Sequence, residues 1–259
     1  MPAAFATAPD GVAIAYETVG SGPPLILLHG GGQSRRNWID AGYRARLADR
    51  FQVIAMDFRG NGESGRPRRV ADYAPERMCA DVLAVADACG VQRFDLVGYS
   101  LGGNIGRYLT RLTPRIARFV MIGVGFGPGA SGAFKARLEG MLAPFEAVLR
   151  ADSDEAAVAA LAPAQQAQWR DPNMGPLVAL FRALIDYPSL EPEDLPCPTL
   201  WLVGGGNEVG ALAEVARLRQ RLPATRVRLE IVGDLDHAQE LEVVEQMLPP
   251  IRAFLEGPA

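Results

Sequence analysis

The chain has 259 residues, of which 49% are apolar, and a formal net charge of −4. This length and apolar share suit one compact domain. The slight negative charge gives no electrostatic reason to expect a nucleic acid or an anionic membrane as a partner. The N-terminus lacks a charged start followed by an apolar run, and no apolar stretch approaches the roughly 18–20 residues of a membrane helix. We therefore expect a soluble, cytoplasmic protein whose cysteines, Cys79, Cys89 and Cys197, are reduced thiols.

Short apolar strands alternate with helical stretches in the first half of the chain. The helix predicted over Pro75 to Cys89 has apolar residues at helical spacing and Gly90 as its stop. Alternating strands and helices predict a parallel sheet covered by helices on both faces. The predicted strands of this half are residues 12–19, 25–28, 52–56, 94–97 and 118–124.

The alternation stops at the glycine-rich segment 125–129, after which the pattern is helical as far as about Pro198. It then resumes with strands over 199–203 and 227–232, a helix over 211–221 and a last helix over about 240–254. We therefore predict an α/β fold with a mostly parallel, doubly wound sheet. Its core comprises residues 1–125 and 199–259, and residues 126–198 form a helical cap or lid inserted between two strands.

Ser100 lies in a G-x-S-x-G pattern between a predicted strand and a predicted helix. Glycines two residues before and two residues after a serine allow a sharp turn that lifts the hydroxyl above the edge of the sheet. The helix that starts beside it directs backbone N–H groups toward negative charge. A bare G-x-S-x-G is common in glycine-rich loops, and it is the strand–turn–helix context that predicts Ser100 as a nucleophile.

A second glycine-rich segment, His29 to Gly32, directly follows the apolar run 25–28. Glycines at a strand end can present free backbone N–H groups to a ligand, which suits one half of an oxyanion hole. The N–H of Leu101, after the nucleophile, would be the other half. A flexible turn is compatible with the same residues, and we expect His29 itself to be structural.

The general base is predicted from the scarcity of histidines. The chain has only two, and His29 precedes the nucleophile by about seventy residues. A serine of ordinary pKa needs an adjacent base. His237 follows the predicted strand 227–232 and a short loop, so it reaches the same edge of the sheet as Ser100. We predict His237 as the general base.

Four motifs together resemble the α/β-hydrolase superfamily, in particular its bacterial esterase, lactonase and cofactor-free perhydrolase branch. The resemblance covers nearly the whole chain except the variable lid. It implies the α/β-hydrolase fold, Ser100 and His237 as catalytic residues, and Gly31 with Leu101 as the oxyanion donors. The motif at 57–64 resembles a structural turn of the family. The motifs are L-L-H-G-G-G-Q-S at 27–34, D-F-R-G-N-G-E-S at 57–64, V-G-Y-S-L-G-G at 97–103 and D-H at 236–237.

The acid of the triad departs from the family pattern, which places an aspartate in G-x-x-D after a late strand. Counted from Gly204, that position holds Asn207, and Glu208 follows it. We predict Glu208, because an anion stabilises the imidazolium that forms during proton transfer and an amide supplies no charge. Asp234 and Asp236 are close to His237 in sequence, but such near neighbours rarely reach the ring nitrogen that faces away from the serine.

These residues predict a serine hydrolase that cleaves a small-to-medium, apolar carboxylic ester or lactone through an acyl-enzyme. We expect no metal or organic cofactor, a small-molecule substrate, and a monomer or homodimer. A C–C bond hydrolase, a perhydrolase or a hydroxynitrile-lyase-like enzyme would use the same serine and histidine. Haloalkane dehalogenases and epoxide hydrolases resemble the chain in fold but use an aspartate nucleophile. The irregular acid position also leaves open a small-molecule receptor with little turnover.

Overall fold

Eight strands form one sheet in the computed structural model, which describes residues 3–151 and 155–257. In spatial order they are β1-β2-β4-β3-β5-β6-β7-β8. Strands β3 to β8 are mutually parallel, whereas β1 and β2 pair antiparallel at one edge. The strand bounds are β1 Ala4–Thr7, β2 Ala13–Val19, β3 Pro24–Leu28, β4 Gln52–Met56, β5 Phe94–Tyr99, β6 Ile116–Ile122, β7 Thr199–Gly204 and β8 Val227–Val232.

Helices cover both faces of this sheet. One apolar layer contains buried residues of α3, α4, α9 and α10, and the other contains buried residues of α1, α2 and α12. The predicted α/β fold with a mostly parallel, doubly wound sheet is confirmed. The helix bounds are α1 Arg36–Asp40, α2 Tyr43–Leu47, α3 Pro75–Ala88, α4 Leu101–Leu112, α5 Gly132–Leu142, α6 Glu146–Arg150, α7 Glu155–Ala159, α8 Pro163–Trp169, α9 Met174–Ile185, α10 Ala211–Leu218, α11 Gln239–Glu242 and α12 Val244–Glu256.

The predicted strands agree with β2 to β8 to within two residues at each end. Strand β1 was not predicted, because it is short and only one of its four residues is buried. The single helix predicted over 240–254 is two helices, α11 and α12. They are separated at Val243, whose backbone leaves the helical region (φ −88°, ψ 65°).

Helices α5 to α9 lie between β6 and β7, within the segment 126–198 that was predicted to be a lid. The predicted ranges also contain residues 1–2, 152–154 and 258–259, which lie outside the described residues. None of the helices in the described part of the chain is long and apolar enough to span a membrane. The three cysteines form no disulfide.

A buried ion-pair cluster joins the β1–β2 edge to α3. The Arg59 guanidinium, which follows β4, donates to both carboxylate oxygens of Asp81 at 2.6 and 2.7 Å. It also donates to Asp10, between β1 and β2, at 2.8 Å. Arg59 and Asp81 are essentially inaccessible to solvent. The hydrogen bond from Arg59 lowers the pKa of Asp10 from an ordinary value of 3.8 to about 2.

Candidate active site

Ser100 occupies a strained turn between β5 and α4. Its φ is +52°, and among the described residues it is the only non-glycine with a positive φ. A Cβ on Gly98 would lie 2.3 Å from the Gly102 carbonyl oxygen, and one on Gly102 would lie 2.2 Å from that of Leu28. Both flanking glycines are therefore required by close backbone contacts. The turn places Ser100 at the N-cap of α4, in the strand–turn–helix context that the motif predicted.

The imidazole of His237 lies against the serine. Its Nε2 is 2.9 Å from Ser100 Oγ, so the structure brings together the two residues predicted as nucleophile and base. Tyr99 also holds His237 in place. Its hydroxyl donates to the His237 carbonyl at 2.6 Å, and its ring stacks on the imidazole with a centroid separation of 5.0 Å.

The carboxylate at the other ring nitrogen belongs to Glu240, on α11. Glu240 Oε2 is 2.8 Å from His237 Nδ1, and Oε1 accepts a 2.6 Å hydrogen bond from the backbone N–H of Gly204. The side chain of Glu240 is fully buried. The structure does not place Glu208, the acid chosen from sequence, at the ring. Glu208 is exposed, and its carboxylate accepts a hydrogen bond from the backbone N–H of His237 at 3.0 Å.

Asn207, the competing position, contacts the carboxylate of Glu240. Its Nδ2 donates to both Glu240 oxygens at 2.9 Å and lies 3.4 Å from His237 Nδ1. Its Oδ1 accepts from the backbone N–H of Ala211. An aspartate at this position would set two buried carboxylates face to face, whereas an amide donates to the one that is there. Asn207 therefore lies where the family pattern places an acid, whereas the carboxylate at the imidazole belongs to Glu240.

Sequence reasoning missed Glu240, although two features of the sequence point to it. A glutamate three residues after a histidine lies on the same face when both are on one helical turn. An amide in the usual acid position also requires the carboxylate to come from elsewhere. The sequence prediction includes Glu240 only as the first residue of the last helix.

Gly123, directly after β6, leaves room for this triad. Its φ is +75°, and a Cβ there would lie 2.3 Å from Glu240 Oε2 and 2.9 Å from His237 Nδ1. Both the backbone angle and the close approach therefore require glycine.

The predicted oxyanion donors, Gly31 and Leu101, both line the cavity above Ser100. Neither backbone N–H donates to any residue in the described part of the chain, so both are free to bind a ligand oxygen. The N–H of the neighbouring Gly30 is occupied, since it donates to Gln33 Oε1 at 3.0 Å. His29 is buried and its Nε2 accepts from the Phe58 N–H at 3.0 Å, a structural contact between the two loops.

A cavity of about 580 Å³ contains Ser100 and His237 in its wall. Much of its lining is apolar and comes from α5 and α9. Its charged lining residues are Arg137, Glu208 and Glu214. Within residues 3–151 and 155–257, no group of three histidine, cysteine or acidic side chains is arranged to hold a metal ion. The apolar side chains from α5 and α9 are Phe134, Leu138, Met141, Phe181 and Leu184.

A profile of the family described as "alpha/beta hydrolase fold" matches residues 23–161, which is more than half of the chain. The chain belongs to this family. It is 35% identical to a soluble epoxide hydrolase of Corynebacterium sp. (strain C12) over 99 residues, which cover 38% of this chain and 33% of that protein. It is 36% identical to a non-heme haloperoxidase of Rhodococcus erythropolis over 121 residues, which cover 46% of this chain and 43% of that protein.

The aligned regions thus span about a third of the length of the first curated relatives. The similarity to solved structures extends over the whole chain. An esterase from Exiguobacterium antarcticum superimposes with a TM-score of 0.77, covering 99% of this chain and 100% of that chain at 20% identity. At this identity the likeness concerns the fold alone.

Proposed function

We propose that this α/β-hydrolase-fold protein is a serine hydrolase that cleaves small-to-medium carboxylic esters or lactones through an acyl-enzyme on Ser100. One observation carries the proposal: the imidazole of His237 joins Ser100 Oγ, 2.9 Å from Nε2, to the buried carboxylate of Glu240, 2.8 Å from Nδ1. This is the arrangement of nucleophile, base and orienting acid that acyl transfer requires.

The contacts of the triad support a specific sequence of proton transfers. His237 Nε2 removes the hydroxyl proton as Ser100 Oγ attacks the carbonyl carbon. Glu240 keeps the proton of the neutral ring on Nδ1 and stabilises the imidazolium. His237 then protonates the leaving alcohol, and water, activated by the same nitrogen, releases the acid from the serine.

The two free backbone N–H groups of Gly31 and Leu101 are proposed to bind the oxyanion of the tetrahedral intermediate. The loop after β3 and the first turn of α4 hold these N–H groups in place before the substrate binds. The site therefore need not reorganise as negative charge develops on the carbonyl oxygen. The position of Leu101 at the first residue of α4 adds the positive end of the helix dipole.

The nucleophile favours an ester over an epoxide. Attack of a serine on an epoxide carbon would leave an alkyl ether that water does not cleave, whereas attack on a carboxylic ester leaves an acyl-serine that water hydrolyses. The apolar lining from α5 and α9 favours an apolar substrate of modest size, since the cavity holds about 580 Å³. These helices would act as the lid of the cavity.

Glu240 also removes the feature that favoured a receptor with little turnover, since that alternative rested on an irregular acid position. The carboxylate that the pattern lacks after β7 is supplied from α11.

The test is stopped-flow hydrolysis of p-nitrophenyl acetate and butyrate by wild type and by Ser100→Ala. We expect a burst of p-nitrophenol close to one equivalent per chain, then steady turnover, with both phases absent from the variant. A burst without turnover would favour the receptor, and equal background in both proteins would reject the proposal. A lactone, a vinylogous diketone and a cyanohydrin, assayed in parallel, distinguish the other serine–histidine chemistries.

A further inference from the structure

Arg107, on α4, is fully buried and forms no ion pair with any residue that the structure describes. Its Nη1 donates to the Gly127 carbonyl at 3.2 Å, its Nη2 donates to Asn104 Oδ1, and its Nε has no hydrogen-bond partner among the described residues. A guanidinium remains protonated near neutral pH even when burial lowers its pKa. A buried positive charge without a contacting counter-ion is costly, and the carboxylates of Glu214 and Glu191 act on this one only through space.

Asn104 lies between Arg107 and the cavity. It is 4% exposed, yet it lines the cavity beside Ser100. Because a guanidinium can only donate, the oxygen of the Asn104 amide must face Arg107 and the nitrogen must point elsewhere. Asn104 Nδ2 donates to no residue in the described part of the chain. The buried cation therefore fixes the amide oxygen and leaves free the Nδ2 donor of a residue that lines the cavity.

The position of Asn104 relative to the nucleophile determines how far the acceptor atom of a ligand must lie from its reacting carbonyl carbon. The backbone N–H of Asn104 donates to the Ser100 carbonyl at 3.0 Å, so the two residues are one helical turn apart. Ser100 itself is the non-helical N-cap of α4, but both residues line the same cavity, one turn apart. A substrate whose carbonyl carbon is at Ser100 would therefore reach Asn104 with an acceptor atom a few bonds away.

We propose that Asn104, oriented by Arg107, is a polar subsite that binds an acceptor oxygen a few bonds from the scissile carbonyl. The preferred substrates are then oxo esters, or esters that carry a carboxylate at that distance, and not plain alkyl esters. This inference rests on the proposed function, because it takes Ser100 as the point of attack. The positive charge of Arg107 strengthens the hydrogen bond from Asn104 by polarising its amide.

The test uses matched pairs that differ in one oxygen. One pair, p-nitrophenyl 4-oxopentanoate and pentanoate, varies the acyl side, and the other, 3-oxobutyl and butyl acetate, varies the alcohol side. We expect wild type to favour the oxo member of at least one pair by about five- to tenfold in kcat/KM. Asn104→Leu should reduce that ratio to about one. Asn104→Asp keeps a partner for Arg107 but presents only acceptor atoms to the cavity. It should also reduce the ratio to about one, and it serves as the test if the leucine variant does not fold.

Binding to Ser100→Ala provides a readout that needs no turnover. Calorimetry with the uncleaved esters should give a Kd about five- to tenfold lower for the oxo member. A comparison of monomethyl succinate with methyl 4-oxopentanoate separates a carboxylate ligand from a neutral carbonyl. Turnover by wild type with equal kcat/KM for both members of each pair would overturn the subsite and leave the proposed function intact. Preferential binding of the oxo member, by a protein whose wild type shows no turnover, would support the subsite and reject the proposed function.

Discussion

In the proposed mechanism, the chemistry of His237 depends most on the buried carboxylate of Glu240. It contacts Nδ1 directly and is shielded from water, so its charge acts on the imidazole at low dielectric. The carboxylate of Glu208 accepts from the backbone N–H of His237 and is exposed, so water screens its charge. Two glutamates thus approach the same histidine, but only one of them can stabilise its charged ring.

Glu240→Gln is therefore expected to lower kcat by about 10³–10⁴-fold, because an amide supplies no charge to the imidazolium and, with its oxygen at the Gly204 N–H, would present its NH2 group to Nδ1. Glu208→Gln, the matched control, should change kcat by less than about fivefold, since its charge lies outside the ring contact. Steady-state hydrolysis of p-nitrophenyl butyrate measures both. Equal losses in the two variants, or a larger loss in Glu208→Gln, would contradict this assignment.

At the level of the elements, the carboxylate at the imidazole comes from α11 and not from the end of β7. Asn207 is still within reach of the ring, since its Nδ2 is 3.4 Å from His237 Nδ1. An acid at either position can therefore orient the histidine. Acids at both would repel each other, because two buried carboxylates in contact cannot both ionise.

The double variant Asn207→Asp/Glu240→Gln should therefore recover at least about tenfold in kcat over Glu240→Gln alone. The single variant Asn207→Asp should be less active than wild type, because its new carboxylate faces Glu240. Activity assays on the four proteins of this cycle give the coupling between the two positions. A double variant no more active than Glu240→Gln would show that only α11 can supply the acid.

Gly123→Ala tests the close packing of β6 against the triad. Its methyl group would overlap Glu240 Oε2 and would also strain a backbone at φ +75°. We expect a loss of about 1–3 kcal/mol in the free energy of unfolding, together with a fall in kcat as Glu240 and His237 separate. Gly90→Ala is the control, since its φ is also positive, +67°, but no atom lies within 4 Å of its Cβ. Gly90→Ala should lower the free energy of unfolding without lowering kcat.

The sequence predicted the elements well where periodicity or backbone chemistry determines them. The fully apolar strands and the glycines around Ser100 constrain their local structure, so seven strands and the nucleophile turn could be located from residues alone. Glu240 could not be chosen in the same way, because its role depends on how α11 turns back toward β7. Asn104 and Arg107 were overlooked because the polar face of a helix is ordinarily solvated, and only the tertiary structure shows that this one is buried.

On the scale of the whole molecule, the ion pair of Asp10 with Arg59 makes the stability of the fold depend on pH. The pKa of Asp10 is about 2 in the folded chain, below its ordinary value of 3.8. The unfolded chain therefore binds more protons between these values. The contribution of Asp10 to stability is complete above about pH 4 and is lost as the pH falls toward 2.

Asp10→Asn is accordingly expected to lower the free energy of unfolding at pH 7 by about 1 kcal/mol. The difference from wild type should shrink as the pH decreases from 4 to 2, because the wild-type carboxyl is then protonated too. Urea unfolding followed by circular dichroism at several pH values measures it. A difference that is constant over this range would show that the charge of Asp10 is not responsible.

Intact-protein mass spectrometry after incubation with an aryl fluorophosphonate tests the central claim most directly, because the reagent reacts with a serine that a general base activates. The account predicts one adduct per chain, mapped by proteolysis to the peptide containing Ser100. The adduct should be absent from Ser100→Ala, and it should form much more slowly in Glu240→Gln than in Glu208→Gln. No adduct on wild type, or one that persists in Ser100→Ala, would contradict the assignment of Ser100 as the nucleophile.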